Sequence, residues 1–98
     1  MAGTGEQAFA AIADPTRRAI LTLLGSNDEV AVGDIASHFP DITRANVSAH
    51  LRVLRAADLV SERRQGQFRI YSLGPNKASE VVAFLQDVYA AGLEELTD

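Results

Sequence analysis

At Leu59 the apolar residues of this chain stop recurring every three or four positions and begin to alternate. Upstream, short amphipathic runs follow one another. From Leu59 to Leu73, two β-prone stretches, LVSERR and FRIYSL, flank Gln65-Gly66-Gln67. A central glycine between two such runs is a hairpin signal. With 98 residues, the chain must pack several short helices around one small hairpin, as a single domain over 1–98. Phe68 and Ile70 alternate with Arg69, Tyr71 and Leu73, so both hairpin faces carry apolar groups. Alternation leaves open which face is buried. The sequence has no Trp, four Phe and two Tyr, so the core is expected to be aliphatic. A core this small gains from dimerisation, because a second chain covers apolar surface that one chain cannot hide.

Residues from about Thr4 to Ala13 are expected to form a helix with Ala8, Phe9, Ile12 and Ala13 in one stripe. Asp14-Pro15 restarts the chain. The aspartate can accept from free amides at a helix start, and proline suits the first helical position, where its missing N–H would be unpaired anyway. That second helix runs to about Leu24, with Ile20, Leu21, Leu23 and Leu24 inward and Gly25 as its stop. After the polar loop Ser26 to Glu29, Val30 to Val32 is expected as a short strand. A third helix of about two turns buries Ile35, Ala36 and Phe39 and ends at Pro40-Asp41. Thr43 caps a fourth helix, about 44–57, with Val47, Leu51 and Leu54 on its buried face. The hairpin occupies about 59–73, and a long helix, about 75–96, carries Val81, Phe84, Leu85, Val88 and Tyr89.

This order defines a mainly α fold with a small β-hairpin wing, a winged helix-turn-helix. The helix at 44–57 is the one that would enter a major groove, whose width of about 12 Å admits a helix. Arg44, Ser48 and Arg52 are spaced by four on the face opposite Val47, Leu51 and Leu54. Ala45 and Ala49 on that face let the backbone approach bases. Arg44, on the first turn, is placed to read guanine, and Thr43, Asn46 and Ser48 to donate to phosphates or bases. The wing adds Arg63, Arg64, Gln65, Gln67 and Arg69 beside the groove.

Formal net charge is −4, which by itself argues against a nucleic-acid partner. Its distribution reverses the inference. Residues 42–69 hold six arginines against Asp58 and Glu62, whereas the remainder holds three basic residues against eleven acidic ones. DNA responds to charge within about a Debye length, roughly 10 Å at moderate salt, and so to the local patch. The partner expected is double-stranded DNA, bound sequence-specifically by a transcriptional regulator. A winged helix acting only as a protein–protein interaction module is the alternative.

Other classes are excluded by what the chain lacks. It has no cysteine and two histidines, which removes disulfides, thiolate metal sites and thiol redox chemistry. No nucleophile–base pair or phosphate loop points to an enzyme, and no cofactor is expected. No apolar run approaches the roughly 18 residues of a membrane span, and no secretion signal precedes the first helix. A cytoplasmic location follows. Asp34 and His38 share a helix face at a metal-compatible spacing, but two ligands do not make a site. Glu80, Asp87 and Glu94, repeating every seven residues, read as the solvent face of the last helix. Arg55 reads as an ion-pair partner, and Arg17 and Arg18 as braces of helix packing through ion pairs. His50 is open between a half-buried hydrogen bond and a phosphate contact. The Phe84, Leu85, Val88 and Tyr89 stripe is longer than one small domain can cover, so it is assigned, with Phe9 and Ile12, to a homodimer interface.

ADPTRRAILTLL, VGDIASHF, NVSAHLRVLRAADLV and ERRQGQFRIYSL together resemble the ArsR/SmtB family of winged-helix repressors, over roughly Phe9 to Leu73. The resemblance implies a dimer built from the first and last helices, a palindromic operator and, often, release by a metal ion. Three departures bear on the last of these and on base reading. No Cys lies near Val32 to Ile35, where the family's thiolate sensor would sit. The last helix has no His for the family's other common site. Ala49 stands where relatives often carry a larger polar residue. An unidentified small molecule or protein partner is left as the source of control.

Overall fold

Two helices begin at the capping side chains that the sequence places there. A computed structural model describes residues 4–74 and 79–97, with side chains over 6–74 and 81–90. Its elements are α1 (Thr4–Ile12), α2 (Pro15–Gly25), β1 (Val30–Ala31), α3 (Val32–Ser37), α4 (Arg44–Ala56), β2 (Val60–Gln65), β3 (Phe68–Leu73) and α5 (Ser79–Thr97). At α2, Asp14 Oδ1 accepts from the amides of Thr16 at 2.8 Å and Arg17 at 3.1 Å. Those amides hold its carboxyl below the ordinary range, that of Arg17 most strongly. At α4, Thr43 Oγ1 accepts from the Asn46 amide at 3.0 Å. Such a cap stabilises a helix by about 1 kcal/mol.

The core is one aliphatic cluster. Ile20, Ile35, Val47, Leu51 and Leu54 are its largest fully buried side chains, each worth roughly 1.5–3 kcal/mol of removal from water. They bring α2, α3 and α4 together, while Ala8 and Ala11 of α1, Val81 of α5, and Leu59, Val60 and Tyr71 of the wing close the sides.

The end of α4 fixes where the wing starts. The Leu59 amide donates to the Leu54 carbonyl and the Asp58 amide to the Arg55 carbonyl, each at 3.0 Å, with Asp58 at φ 60°. This is a Schellman closure with aspartate in the place glycine usually takes. From there β2 and β3 pair antiparallel, Gln65 opposite Phe68, around a two-residue loop. Gly66 sits at φ +62° in the first loop position, a conformation two-residue hairpins favour and glycine adopts without steric penalty.

The structure decides the wing face that alternation left open. Register places Glu62 opposite Tyr71 and Arg64 opposite Arg69, so these four share the face turned toward α4. Tyr71 is 2% exposed and Phe68, on the other face, 57%. The wing also gains a third strand: β1 pairs with β3, Val30 opposite Tyr71, giving the sheet order β1-β3-β2. The short strand was expected, but its partner was not, because the pairing spans some forty residues.

Several local readings need correction. Gly25 belongs to α2, and Ser26 closes it in an ordinary right-handed conformation. α3 is capped by His38, ahead of Pro40, leaving Phe39 half-buried beyond the helix. Arg17 and Arg18 brace the packing through carbonyls rather than carboxylates: Arg17 Nε donates to Ala11 O at 2.6 Å and Arg18 to Ile12 O at 2.7 Å. The free carbonyls at a helix C-terminus carry partial negative charge, which a cation satisfies as well as an ion pair would. The start expected for the last helix, residues 75–78, lies outside the described residues. So do the side chains of Glu80 and Glu94.

Candidate nucleic-acid interface

The chemistry gathers where α4 meets the wing. α3 and α4 are joined by a short turn, and the buried face of α4 (Val47, Leu51 and Leu54) is fully inside. The helical period then forces Arg44, Ser48 and Arg52 outward. Arg44 and Arg52 are exposed, as are Thr43 and Asn46, while Ser48 and His50 are half-buried.

The wing divides this row in two. Ser48 and Arg52 line a cleft of about 330 Å³ with Arg55, Glu62, Arg64 and Arg69. Arg44 instead faces a second hollow of about 310 Å³ beside Gly33 and Asp34 of α3 and Gln67 and Phe68 of the wing tip, with Arg69 between the two. Arg69 donates to Ser48 Oγ at 3.2 Å, tying wing to helix. In the cleft Glu62 accepts from Arg55 at 2.8 Å and from the Tyr71 hydroxyl, with Arg69 at 3.9 Å. The tyrosine hydrogen bond holds the Glu62 carboxyl below its usual range, aided by the nearby guanidinium charges. Burial, then that same bond, pushes Tyr71 up to about 12. Tyr71 is therefore a neutral donor and Glu62 an anion throughout the physiological range.

The remaining residues singled out by sequence fall on the margins. Arg63 and Gln65 lie on the wing face away from the cleft. Arg63 makes a two-pronged pair with Glu29, at 2.6 and 2.8 Å, and donates to Gln65 at 3.0 Å. Glu29 is held low by that hydrogen bond, and Arg63 is raised by it. His50 points back toward α2, its Nδ1 3.4 Å from an Arg17 guanidinium nitrogen. A guanidinium can only donate, so Nδ1 is the acceptor in this contact. Arg55 makes the ion pair expected of it. His38 turns its Nδ1 to the Asp34 carbonyl at 2.9 Å. Among the described residues no group of three or more His, Cys, Asp or Glu could hold a metal.

Glu62 and Tyr71 were not foreseen as parts of this site. Their signal lay in the register: with a two-residue loop at Gly66 and Gln67, Glu62 must face Tyr71 and Arg64 must face Arg69.

A two-helix unit with an exposed, arginine-bearing second helix and a basic wing beside it defines a winged helix-turn-helix DNA-binding regulator. Comparison with known proteins agrees. A family model described as a helix-turn-helix domain matches residues 12–63. The transcriptional repressor SdpR of Bacillus subtilis is 41% identical over 88 residues, 90% of this chain and 96% of that protein. The arsenic resistance transcriptional regulator ArsR1 of Pseudomonas putida is 33% identical, over 91% of this chain and 69% of its own. The crystal structure of a "possible transcriptional regulator for arsenical resistance" superposes with a TM-score of 0.73 at 39% identity, covering 90% of each chain. The chain belongs to the ArsR/SmtB family of winged helix-turn-helix transcriptional regulators. That family regulates transcription and is not enzymatic. No helix among the described residues is long and apolar enough to cross a membrane.

Proposed function

We propose that this chain is a cytoplasmic, homodimeric repressor that binds a palindromic operator through the N-terminal turns of α4. The observation that carries the dimer is an uncovered apolar face. Phe84, Leu85, Val88 and Tyr89 of α5 are between 45% and 59% exposed, and Phe9 of α1 is 41% exposed. Phe9 and Phe84 meet edge to face at 5.5 Å, and Ile12 is half-buried beside α1's core residues. A contiguous apolar face of this kind is a protein-contact surface, and a second copy would cover it symmetrically. SdpR, similar along nearly its whole length, is named a repressor. Two-fold symmetry would set the two α4 helices in successive major grooves about 34 Å apart. Sedimentation with and without duplex tests this: two chains per palindrome are expected, and a monomer both free and on DNA overturns it.

Within each half-site Arg44 reads a base and Arg64 serves the backbone. Arg44→Ala is expected to cost about 1–3 kcal/mol and relax preference at one base pair. Arg64→Ala should weaken all sequences alike and flatten the salt dependence. Altered preference in the Arg64 variant alone would reverse these roles.

Thiophilic ions should have no hold on the protein, since soft ions need thiolates and the chain has no cysteine. Cadmium and arsenite are expected to leave operator affinity unchanged in anisotropy titrations of chelator-treated protein. Nickel and zinc could act only through Asp34, His38, His50 and other carboxylates, with a weak effect. A tenfold change at submicromolar free nickel or zinc contradicts this and directs mutagenesis to those three residues. Control then rests with expression level, a small molecule or a protein partner.

A further inference from the structure

The cleft between α4 and the wing holds more positive charge than its own carboxylate can balance. Arg52, Arg55, Arg64 and Arg69 line it, with Glu62 as the one acidic side chain among the lining residues. Glu62 bonds Arg55 and lies near Arg69. Arg52 and Arg64 make no ion pair among the described residues. Arg64 and Arg69 also stand directly opposite each other across the β2–β3 ladder, and like charges so placed destabilise a sheet. An arrangement that opposes folding in the free protein becomes favourable once an anion lies between the two guanidinium groups. Their planar forks match a phosphate's oxygens, and about 330 Å³ admits a phosphodiester with part of its sugars.

We propose that this cleft seats one phosphate of the DNA backbone, gripped by Arg52 of the recognition helix and by Arg64 and Arg69 of the wing, with Glu62 as the counter-ion that this phosphate relieves. The proposal rests on the DNA-binding reading above and deepens it. It moves Arg52 from the base-reading row to the backbone, and it gives an acidic residue a restraining role on the DNA face. Because Arg69 also bonds Ser48, the seated phosphate fixes how far the wing stands from the helix.

The test uses the full chain and a duplex that it selects from a random pool. Single backbone phosphates are replaced in turn by neutral methylphosphonates, and affinity is read by fluorescence anisotropy. One position per bound chain should lose about tenfold on neutralisation, as expected for one lost phosphate contact. Arg52→Ala should lose a similar factor on the unmodified duplex, lower the salt slope by about one, and lose nothing further on the neutralised duplex. Glu62→Gln should bind the unmodified duplex about threefold more tightly or better, in line with removal of a like charge beside a phosphate. That gain should vanish on the neutralised duplex. If the Arg52→Ala loss is undiminished on every methylphosphonate duplex, or Glu62→Gln weakens binding, the seat is wrong while DNA binding stands. Inorganic phosphate replacing chloride at constant ionic strength should leave affinity unchanged. Competition that disappears in Arg52→Ala would instead assign the cleft to a free phosphoryl anion and overturn the backbone as its occupant. A chain that binds no duplex overturns the DNA-binding reading, and the seat with it.

Discussion

Gly74→Ala is expected to destabilise the protein by about 2–3 kcal/mol, the cost of forcing extra volume into a packed site that cannot yield. A β-carbon on Gly74 would lie 2.2 Å from the Asp58 carbonyl oxygen and 2.9 Å from its carbon. All the nearest atoms are backbone. They cannot swing aside, because Asp58 is the left-handed residue closing α4 and the Gly74 amide donates to Leu59 O at 2.9 Å. The close approach joins the end of α4 to the end of the wing. For a domain of this size the midpoint of thermal unfolding should fall by roughly 10–20 °C. Urea unfolding at matched protein concentration measures the change, since any dimer contributes to apparent stability. A variant within about 0.5 kcal/mol of the parent would show that this contact relaxes freely.

Val88→Asp is expected to separate the chains before it unfolds them. Val88 is 54% exposed on its own chain, so an aspartate there meets water in the monomer. In a dry apolar dimer face the same carboxylate would be unpaired, at a cost of several kcal/mol. The dissociation constant should rise at least about a hundredfold, each 1.4 kcal/mol being a factor of ten. Sedimentation should report monomers while far-ultraviolet dichroism keeps its helical signal. Joint loss of helix and dimer would instead place Val88 in the interior of its own chain.

Buried helical faces were legible from sequence because each is a local property. Val47, Leu51 and Leu54 recur at helical spacing, and all three are fully buried. Asp14 and Thr43 cap helices because each has a short oxygen-bearing side chain just before an amphipathic run. Gly66 announced the hairpin for a similar reason, since its loop demands positive φ. Boundaries were less legible. α3 stops before its apolar pattern does, because Phe39 reaches the core from the chain that follows the helix.

The roles of charged residues were the least legible, since a charge has no period and takes its meaning from what lies opposite. Arg63 and Arg64 are neighbours in sequence, yet strand pleating sends one to Glu29 and the other to the cleft. Arg17 and Arg18 were expected at carboxylates and found helix carbonyls, a partner that side-chain spacing does not reveal.

The order of elements, the inward faces of α2 and α4, the hairpin turn and the concentration of arginine between residues 42 and 69 could all be read from the residues alone. These follow from periodicity, caps and composition, which act over a few residues. It took the folded chain to show that Tyr71 faces inward, that β1 joins the wing and that Glu62 sits among four arginines. Each depends on groups brought together from distant parts of the chain. Such contacts are set by strand register and helix packing, and no short window of sequence contains both partners.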